Sequence, residues 1–296
     1  MKLTSLRVLL FATLIAFGIW SCGSSSKEEN NNSDDFNQPE ESLKDQILEL
    51  MDNLPSPTEI PYLLEATGAE YNQSLINDVK KVDQYTIRND KAALNLGIYA
   101  ADIGYLSSYE KTQESITYMA AVKSLADKLG VIGSFDLNEM ERFESNISNK
   151  DSLTSILNTS VKKTKIYLQD DNRNKLAALM LTGSFIEGLY ISTGLIKSYP
   201  KNLLPDDSRN LVLTPLMRII LEQEKSVDEL VKMLQSVEQA DPVTTIVADL
   251  TSLQASYRAL EIEDQIKNNK ASMVLTDKNL VDITVIVEKI RKSITD

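Results

Sequence analysis

The sequence contains no histidine, and its only cysteine is Cys22. Without histidine, the chain cannot build the catalytic triads that use an imidazole base, or the histidine-ligated zinc and di-iron sites. A single cysteine excludes a disulfide framework within the chain. A glycine-rich phosphate-binding loop is also missing. Carboxylates, lysines, tyrosines and hydroxyls are left for chemistry, so we predict neither a metal nor a cofactor.

The alternation of apolar and polar residues that marks β-strands is almost missing, whereas apolar residues recur at helical spacing along the chain. We therefore predict an all-α protein, a multi-helix bundle or helical-repeat array of about ten helices. One helix is expected between Pro215 and Pro242, and a last one after Thr276 as its cap. The other predicted helices are 42–53, 58–67, 73–84, 90–110, 112–129, 136–146, 150–169, 174–198 and 243–267.

The N-terminus has the features of a signal peptide. Lys2 and Arg7 precede an uncharged stretch, residues 8–20. As a helix, this stretch would span about 20 Å and fall short of the roughly 30 Å hydrocarbon core of a bilayer. Ser21 supplies the small residue expected at a cleavage site. We predict a lipoprotein signal peptide over residues 1–21, cleaved between Ser21 and Cys22.

Cys22 sets this signal apart from an ordinary secretory signal. The stretch Ile19-Trp20-Ser21-Cys22 resembles the lipobox of bacterial lipoproteins, in which the cysteine thiol accepts a diacylglyceryl group and the new N-terminus is acylated. Fatty-acyl chains such as palmitate contribute ~0.8 kcal/mol per buried CH₂, so several chains at one residue hold a protein on a membrane. The alternative is an incidental, buried cysteine.

Residues 22–41 are predicted to form a disordered tether, since Phe36 is their only large hydrophobe. Within the tether, Lys27-Glu28-Glu29 resembles the tag of one lysine and two acids that sends some Gram-negative lipoproteins to the cell surface. We predict a protein that is lipid-anchored to the outer membrane. Whether it faces the cell surface or the periplasm stays open.

The mature chain is strongly acidic. Removing residues 1–21 takes two of the 31 basic residues and none of the 43 acidic ones, which leaves 29 basic residues and a net charge of −14. Such a surface disfavours nucleic acid and anionic lipid headgroups as partners. Residues 42–296 are enough for a single all-helical domain with a sizeable core.

Two predicted helices, 90–110 and 174–198, contain long apolar stretches with one charged residue each, Asp102 and Glu187. By length, the second helix could cross a membrane. A carboxylate at mid-helix and the lipid anchor favour a helix buried among other helices instead. We therefore predict that both helices form the centre of the fold. Glycines predict that a neighbouring helix lies close to them, notably Gly97, Gly183 and Gly188.

Segments 79–108 and 161–193 resemble one another. Asp102 and Tyr105 match Glu187 and Tyr190 at an offset of 85 residues, and several apolar and hydroxyl residues match at the same offset. An internal duplication would explain these matches, and it predicts two similar halves around the central helices. The alternative is that two apolar helices align by accident.

Asp102 and Glu187 are the candidate functional residues. If the two halves are related by a pseudo-twofold axis, the carboxylates could converge there. A close pair in an apolar setting cannot ionise both groups easily, which is how acid–base dyads and cation sites arise. Tyr105 and Tyr190 lie three residues further on, on the same helix faces. The alternative is structural, with each carboxylate held by hydroxyl groups. We predict no catalytic residue.

A smaller motif is Asp151-Ser152-Leu153, which resembles the sequon for O-glycosylation of exported proteins in some Gram-negative bacteria. Ser152 is therefore a candidate glycosylation site. A three-residue pattern of this kind also occurs often by chance.

Two stretches, PTEIPYLLEATGAEY (57–71) and ALNLGIYAADIGYLSSYEKTQESITYMAAVKSLADKLGV (93–131), resemble a group of uncharacterised all-helical lipoproteins of Gram-negative bacterial envelopes. The resemblance implies a lipidated, all-helical architecture and supplies no catalytic residue. We expect a non-enzymatic module, anchored through Cys22, that binds or scaffolds an envelope protein or glycan. The alternative is a small-ligand or cation-binding protein, or an enzyme, that uses Asp102 and Glu187 with the nearby tyrosines.

Overall fold

The helical periodicity of the sequence corresponds to an all-helical fold. The structure, a computed structural model, describes residues 34–53, 65–66, 68–131, 173–199, 217–259 and 278–296, with a few isolated positions between them. These residues form eight α-helices and no strand. The helices are α1 (Asp34–Asn53), α2 (Val82–Tyr85), α3 (Asn89–Ser108), α4 (Thr112–Leu129), α5 (Asn174–Ser198), α6 (Glu224–Gln235), α7 (Val243–Arg258) and α8 (Lys278–Thr295). Two 3-10 turns, Gln73–Leu75 and Val79–Lys81, precede α2.

The chain divides into two compact units, Met1–Ser42 and Leu43–Asp296. The second unit contains α2 to α8 and the C-terminal part of α1, where Ile47 and Leu50 are buried. The most extensive packing in this unit is between α3 and α5. The prediction that these two helices form the centre of the fold is confirmed, since most residues of both are buried.

Glycines bring α3 and α5 into backbone contact. A Cβ atom added at Gly97 would lie 2.0 Å from the carbonyl oxygen of Met180, and one added at Gly183 would lie 1.9 Å from that of Leu94. No larger residue fits at either position without moving the helices apart, which explains two glycines that weaken helix propensity. Among the described residues, nothing lies within 4 Å of a Cβ added at Gly188, so the close neighbour expected there is not seen in this part of the chain.

The contacts between α3 and α5 advance in the same direction along both helices. Gly97 lies against Met180 and Ser184, and one turn later Asp102 meets Glu187. The two central helices therefore run parallel. As a result, polar residues at corresponding positions along α3 and α5 lie next to one another in the core.

Helix α4 folds back on α3 through a short connection, residues 109–111. Its bounds match the predicted helix 112–129. The rings of Tyr99 on α3 and Tyr118 on α4 meet edge to face, with their centroids 5.7 Å apart. The helix ends at Gly130, whose φ of 68° lies in the left-handed region, and Val131 N–H donates to the Ala126 carbonyl at 2.9 Å.

Helix α8 lies between α5 and α7. Its ion pairs with these neighbours are Lys197–Glu288 to α5 at 3.0 Å and Lys289–Asp249 to α7 at 2.6 Å. The buried face of α8 follows the spacing of three and four residues seen in the sequence and comprises Ile283, Val287, Ile290 and Ile294. The last helix is therefore an integral part of the core.

The predicted tether over residues 22–41 is wrong at its C-terminal end, because α1 begins at Asp34. The tether prediction depended on the composition of the segment, in which Phe36 is the only large hydrophobe.

The predicted continuous helix 73–84 is also wrong, because this stretch consists of two 3-10 turns followed by α2. The side chain of Asn72 accepts a hydrogen bond from Ser74 N–H, and that of Asp78 accepts one from Lys80 N–H. Side chains that cap the backbone locally in this way compete with a longer helix. The single helix predicted between Pro215 and Pro242 is likewise interrupted by a turn at residues 222–223, before α6.

Several predictions concern residues outside those that the structure describes. They include the signal peptide, cleavage at Ser21, lipidation of Cys22 and glycosylation of Ser152. The same holds wholly or largely for the predicted helices 58–67, 136–146 and 150–169, for the cap at Thr276, and for most of segment 161–193 before α5.

One helix of the described residues, α5, is long and apolar enough to cross a membrane. In the structure, 67% of its most apolar window is buried inside the protein. The core helices of water-soluble proteins pass the same test of length and composition, so this feature by itself is weak evidence for a membrane span.

Candidate functional site

Asp102 of α3 and Glu187 of α5 meet at the centre of the core. Both side chains have no exposed surface, and their carboxyl groups are in hydrogen-bonding contact. The parallel packing of the two central helices produces this contact, since each carboxylate lies about one turn beyond the glycine contacts of its own helix. This convergence is one of the two alternatives predicted from the sequence, and the structure places the two residues together.

Arg291 of α8 forms an ion pair with Glu187. Its Nε donates to Glu187 Oε2 and its Nη2 donates to Glu187 Oε1, both at 3.0 Å. Such a two-pronged contact fixes the orientation of a carboxylate as well as neutralising its charge. The Arg291 side chain is 15% exposed, so it closes the core from the side of α8.

Asn77, in the turn region before α2, holds Asp102 from the other side. Its backbone N–H donates to Asp102 Oδ2 at 3.2 Å. Its own carbonyl accepts a hydrogen bond of 2.6 Å from the hydroxyl of Tyr118 on α4. Its side-chain amide donates to the Tyr85 hydroxyl at 3.2 Å and lies 3.4 Å from the Asn95 side-chain oxygen. One buried asparagine therefore connects Asp102 with two other helices, α2 and α4, and with Asn95 of its own helix.

The same network holds the C-terminal end of α8. Tyr85 donates its hydroxyl to the Thr295 carbonyl at 2.8 Å, and the Asn95 side-chain amide donates to the Ile294 carbonyl at 3.2 Å. The last carbonyls of a helix have no partner inside the helix, so these donors satisfy groups that would otherwise be unpaired in the core. Together, the polar groups form one buried network across α2, α3, α4, α5 and α8.

The tyrosines proposed for the site do not contact the carboxylates in the expected way. The Tyr105 hydroxyl accepts a hydrogen bond from Asn72 N–H at 2.8 Å, and its ring stacks on Tyr71 at 5.4 Å. The ring of Tyr190 lies under Arg291, with the guanidinium carbon 4.5 Å from the ring centroid. The expectation that these two hydroxyls would hold Asp102 and Glu187 is therefore wrong. The donors that contact the two carboxylates are instead the backbone N–H of Asn77 and the guanidinium of Arg291.

The electrostatics of the cluster follow from its burial. Burial raises the pKa of Asp102 well above its usual range, and the neighbouring charge of Glu187 raises it further, while Arg291 and Asn77 N–H oppose the shift. Burial also raises the pKa of Glu187, and Arg291 lowers it. Burial lowers the pKa of Arg291, but the Glu187 carboxylate outweighs this effect and raises it, so Arg291 stays charged.

The arrangement is suited to holding helices together rather than to chemistry on a substrate. Both oxygens of Glu187 are occupied by Arg291, and neither carboxylate reaches the surface. Among the described residues, no group of three or more acidic, histidine or cysteine side chains is arranged to hold a metal ion. An internal cation, Arg291, already stands where an external one would compensate the carboxylate charge.

Sequence reasoning missed Arg291 and Asn77. Arg291 lies in a helix with lysines at 289 and 292, and its position in the sequence does not distinguish it from those surface residues. The one available signal is its spacing from Val287 and Ile290, which places it at the edge of the buried face of α8. Asn77 lies in the stretch where a continuous helix was predicted, so its hydrogen bonds to Asp102, Tyr85 and Tyr118 were not predicted.

Comparisons of this chain with protein-family models, with curated proteins and with solved structures found no match.

Proposed function

We propose that this protein is an envelope lipoprotein, anchored through Cys22, whose helical domain acts as a non-enzymatic binding or scaffold module. The observation that carries the non-enzymatic part is the closure of the carboxylate cluster. Asp102 and Glu187 have no exposed surface, and Arg291 occupies both oxygens of Glu187. A residue that a substrate cannot reach does not perform catalysis on it.

The packing of the central helices supports the same proposal. An interface between α3 and α5 that opened as a polar pocket would favour a ligand carrier. The backbones of these helices are instead in contact at Gly97 and Gly183. The alternative, a small-ligand or cation-binding protein that uses Asp102 and Glu187, would require α3, α5 and α8 to separate first.

The anchoring part of the proposal depends on the sequence of the N-terminus. Lys2 and Arg7, the apolar stretch 8–20 and the Ile19-Trp20-Ser21-Cys22 lipobox together support export and lipidation. We place the protein at the outer membrane. Its exposure at the cell surface or to the periplasm is left to experiment. The acidic mature chain favours a partner that is an envelope protein or a glycan over nucleic acid.

The anchor is tested by growing cells with a fatty-acid analogue and following its incorporation into the protein. The wild type should be labelled and should sediment with membranes. Cys22→Ala should lose both properties, while Ser24→Ala, a change two residues away, should keep them. Label and membrane association that persist in Cys22→Ala would reject lipidation at this residue.

The binding part is tested by cross-linking the full-length protein in intact cells and identifying the captured envelope component. Asp102→Asn and Glu187→Gln keep the size of each side chain and most of its hydrogen-bonding atoms. Capture of the partner by both folded variants supports a structural role for the carboxylates. A well-folded variant of unchanged stability that loses its partner would instead assign the pair to a binding site.

We also propose that the two central segments arose by duplication, within a fold of about ten helices. The contacts of the glycines are reciprocal: Gly97 packs on Met180, and Gly183 packs on Leu94. Gly97 and Gly183 are 86 residues apart, as are Leu94 and Met180, which is one residue more than the offset of 85 at which the sequences match. Upstream of the central helices, Val79-Lys80-Lys81 with Tyr85 matches Val161-Lys162-Lys163 with Tyr167 at an offset of 82. A crystal structure tests the proposal, since Tyr167 should then lie against α5 as Tyr85 lies against α3.

A further inference from the structure

One oxygen of Asp102 lacks a hydrogen-bond donor. Asp102 Oδ2 accepts a hydrogen bond from Asn77 N–H. Asp102 Oδ1 is buried, and no N–H or O–H group of the described residues donates to it. The group in hydrogen-bonding contact with the Asp102 carboxyl is the carboxyl of Glu187. An ionised carboxylate has no hydrogen to donate, so a hydrogen bond between these two groups requires one proton.

Arg291 determines which carboxyl group holds that proton. Both oxygens of Glu187 accept hydrogen bonds from the guanidinium, an arrangement that favours the ionised form of Glu187. Asp102 instead accepts a hydrogen bond from an uncharged donor, the backbone N–H of Asn77. A protonated Asp102, an ionised Glu187 and a charged Arg291 together have no net charge. Because both carboxyl groups have no exposed surface, the core strongly favours that neutral state over one with an excess charge.

We propose that Asp102 and Glu187 share a single proton at neutral pH, and that this proton locks the central helices α3 and α5 together. Without it, two negative charges would face each other across the interface between these helices. The backbone contacts at Gly97 and Gly183 hold the helices too close for the carboxylates to separate within the folded core. Loss of the proton is therefore coupled to opening of the central pair.

Other titratable groups face the cluster from the neighbouring elements, among them Tyr71, whose pKa burial raises to about 12. Burial raises the pKa of Tyr85 and of Tyr105 to about 12, and it raises the pKa values of Tyr99 and Tyr118 even more. These hydroxyls therefore stay protonated while Asp102 loses its proton. The remaining titratable groups near the cluster are Tyr190 beneath Arg291, exposed Asp78 in the turn region, and Asp296 at the C-terminal end of α8.

The direction of the pH effect follows from the raised pKa of Asp102. The folded protein keeps a proton that the unfolded chain releases near the usual aspartate pKa of about 3.9. Between that value and the folded pKa, the equilibrium constant for opening rises by about tenfold for each unit of pH. The stabilising effect of the proton is complete at acidic pH and is lost as the pH rises through the folded pKa.

The test uses the full-length protein, Asp102→Asn, and Glu288→Gln as a matched control. Glu288 is a partly exposed carboxylate of α8 in an ion pair with Lys197. Infrared spectroscopy at neutral pH should show the carbonyl stretch of a protonated carboxyl group in the wild type and in Glu288→Gln, but not in Asp102→Asn. Labelling aspartate side chains with ¹³C should shift this band in the wild type, which assigns it to an aspartate without any substitution.

Hydrogen–deuterium exchange of the amides in α3 and α5 supplies the second measurement. Across about pH 5–9, after correction for the intrinsic exchange rate, protection in the wild type should fall relative to Asp102→Asn by up to tenfold per pH unit. Glu288→Gln should follow the wild type. If Asp102→Asn does not fold, Glu187→Gln replaces it as the test variant. In Glu187→Gln, Asp102 should ionise and pair with Arg291, so the infrared band of the protonated carboxyl group should disappear. A wild type without an aspartate-derived band, or pH profiles of wild type and Asp102→Asn that run parallel, would overturn the proposal.

Discussion

Gly183 on α5 faces the backbone of Leu94 on α3 so closely that an added Cβ would lie 1.9 Å from the Leu94 carbonyl oxygen. This contact sets the distance between the central helices. The carboxyl contact of Asp102 and Glu187, further along the same two helices, depends on that distance.

The closeness of the helices predicts opposite effects for two glycines of α5. Gly183→Ala should lower the free energy of unfolding by about 1–3 kcal/mol or more, because the methyl group forces the backbones apart. Gly188→Ala should leave stability unchanged or raise it by up to ~1 kcal/mol, since none of the described residues lies within 4 Å of the added methyl group and alanine favours helix. Urea titration of both variants gives the comparison. Equal stability of the two would contradict the backbone contact.

Replacement of Arg291 should be far more costly than replacement of a surface cation. Arg291→Met leaves the buried Glu187 carboxylate without its partner, and we expect a loss of about 3–5 kcal/mol in the free energy of unfolding. Lys197→Met removes an exposed pair with Glu288 and should cost less than about 1 kcal/mol.

A double variant tests the reason for the loss at Arg291. Adding Glu187→Gln to Arg291→Met removes the uncompensated charge and should recover part of the stability. The measurement is chemical denaturation of the single and double variants at the same pH. A double variant less stable than Arg291→Met alone would show that unpaired charge is not the cause.

The hydroxyl of Tyr118 should matter more than that of Tyr190. Tyr118→Phe leaves the buried Asn77 carbonyl without its hydrogen bond of 2.6 Å, at an expected cost of about 1–3 kcal/mol. Tyr190→Phe keeps the aromatic ring under Arg291 and should change stability by less than about 0.5 kcal/mol. Thermal or urea unfolding distinguishes the two. A larger effect at Tyr190 would reverse the assigned roles.

The unit Leu43–Asp296 should fold without the N-terminal segment. We expect fragment 43–296 to be soluble without detergent and strongly helical by circular dichroism, because its most apolar helices, α3 and α5, are buried against each other. Sheet-rich spectra would contradict the fold class. A fragment that enters solution only with detergent would favour a membrane span at α5.

The helical class and the identity of the central helices were predictable from the sequence. A helix as apolar as those around Asp102 and Glu187 can be shielded from water on every face only inside a bundle or a membrane. The bounds of α4 were predictable from its helical periodicity. The predictions failed where side chains act on the backbone nearby. Asn72 and Asp78 cap short turns in place of the helix expected over residues 73–84.

The partners of the buried polar groups were decided by the tertiary structure alone. The position of Asp102 and Glu187 on apolar helices is predictable from the sequence, and so is the need of each carboxyl group for a partner in the core. The sequence does not determine which donor lies beside each carboxylate, because Arg291 is 104 residues from Glu187 and resembles the neighbouring lysines in every local property. Periodicity reports which face of a helix is buried. Only the packing of α8 against α5, and of α3 against α5, determines which atoms meet there and where a proton is needed.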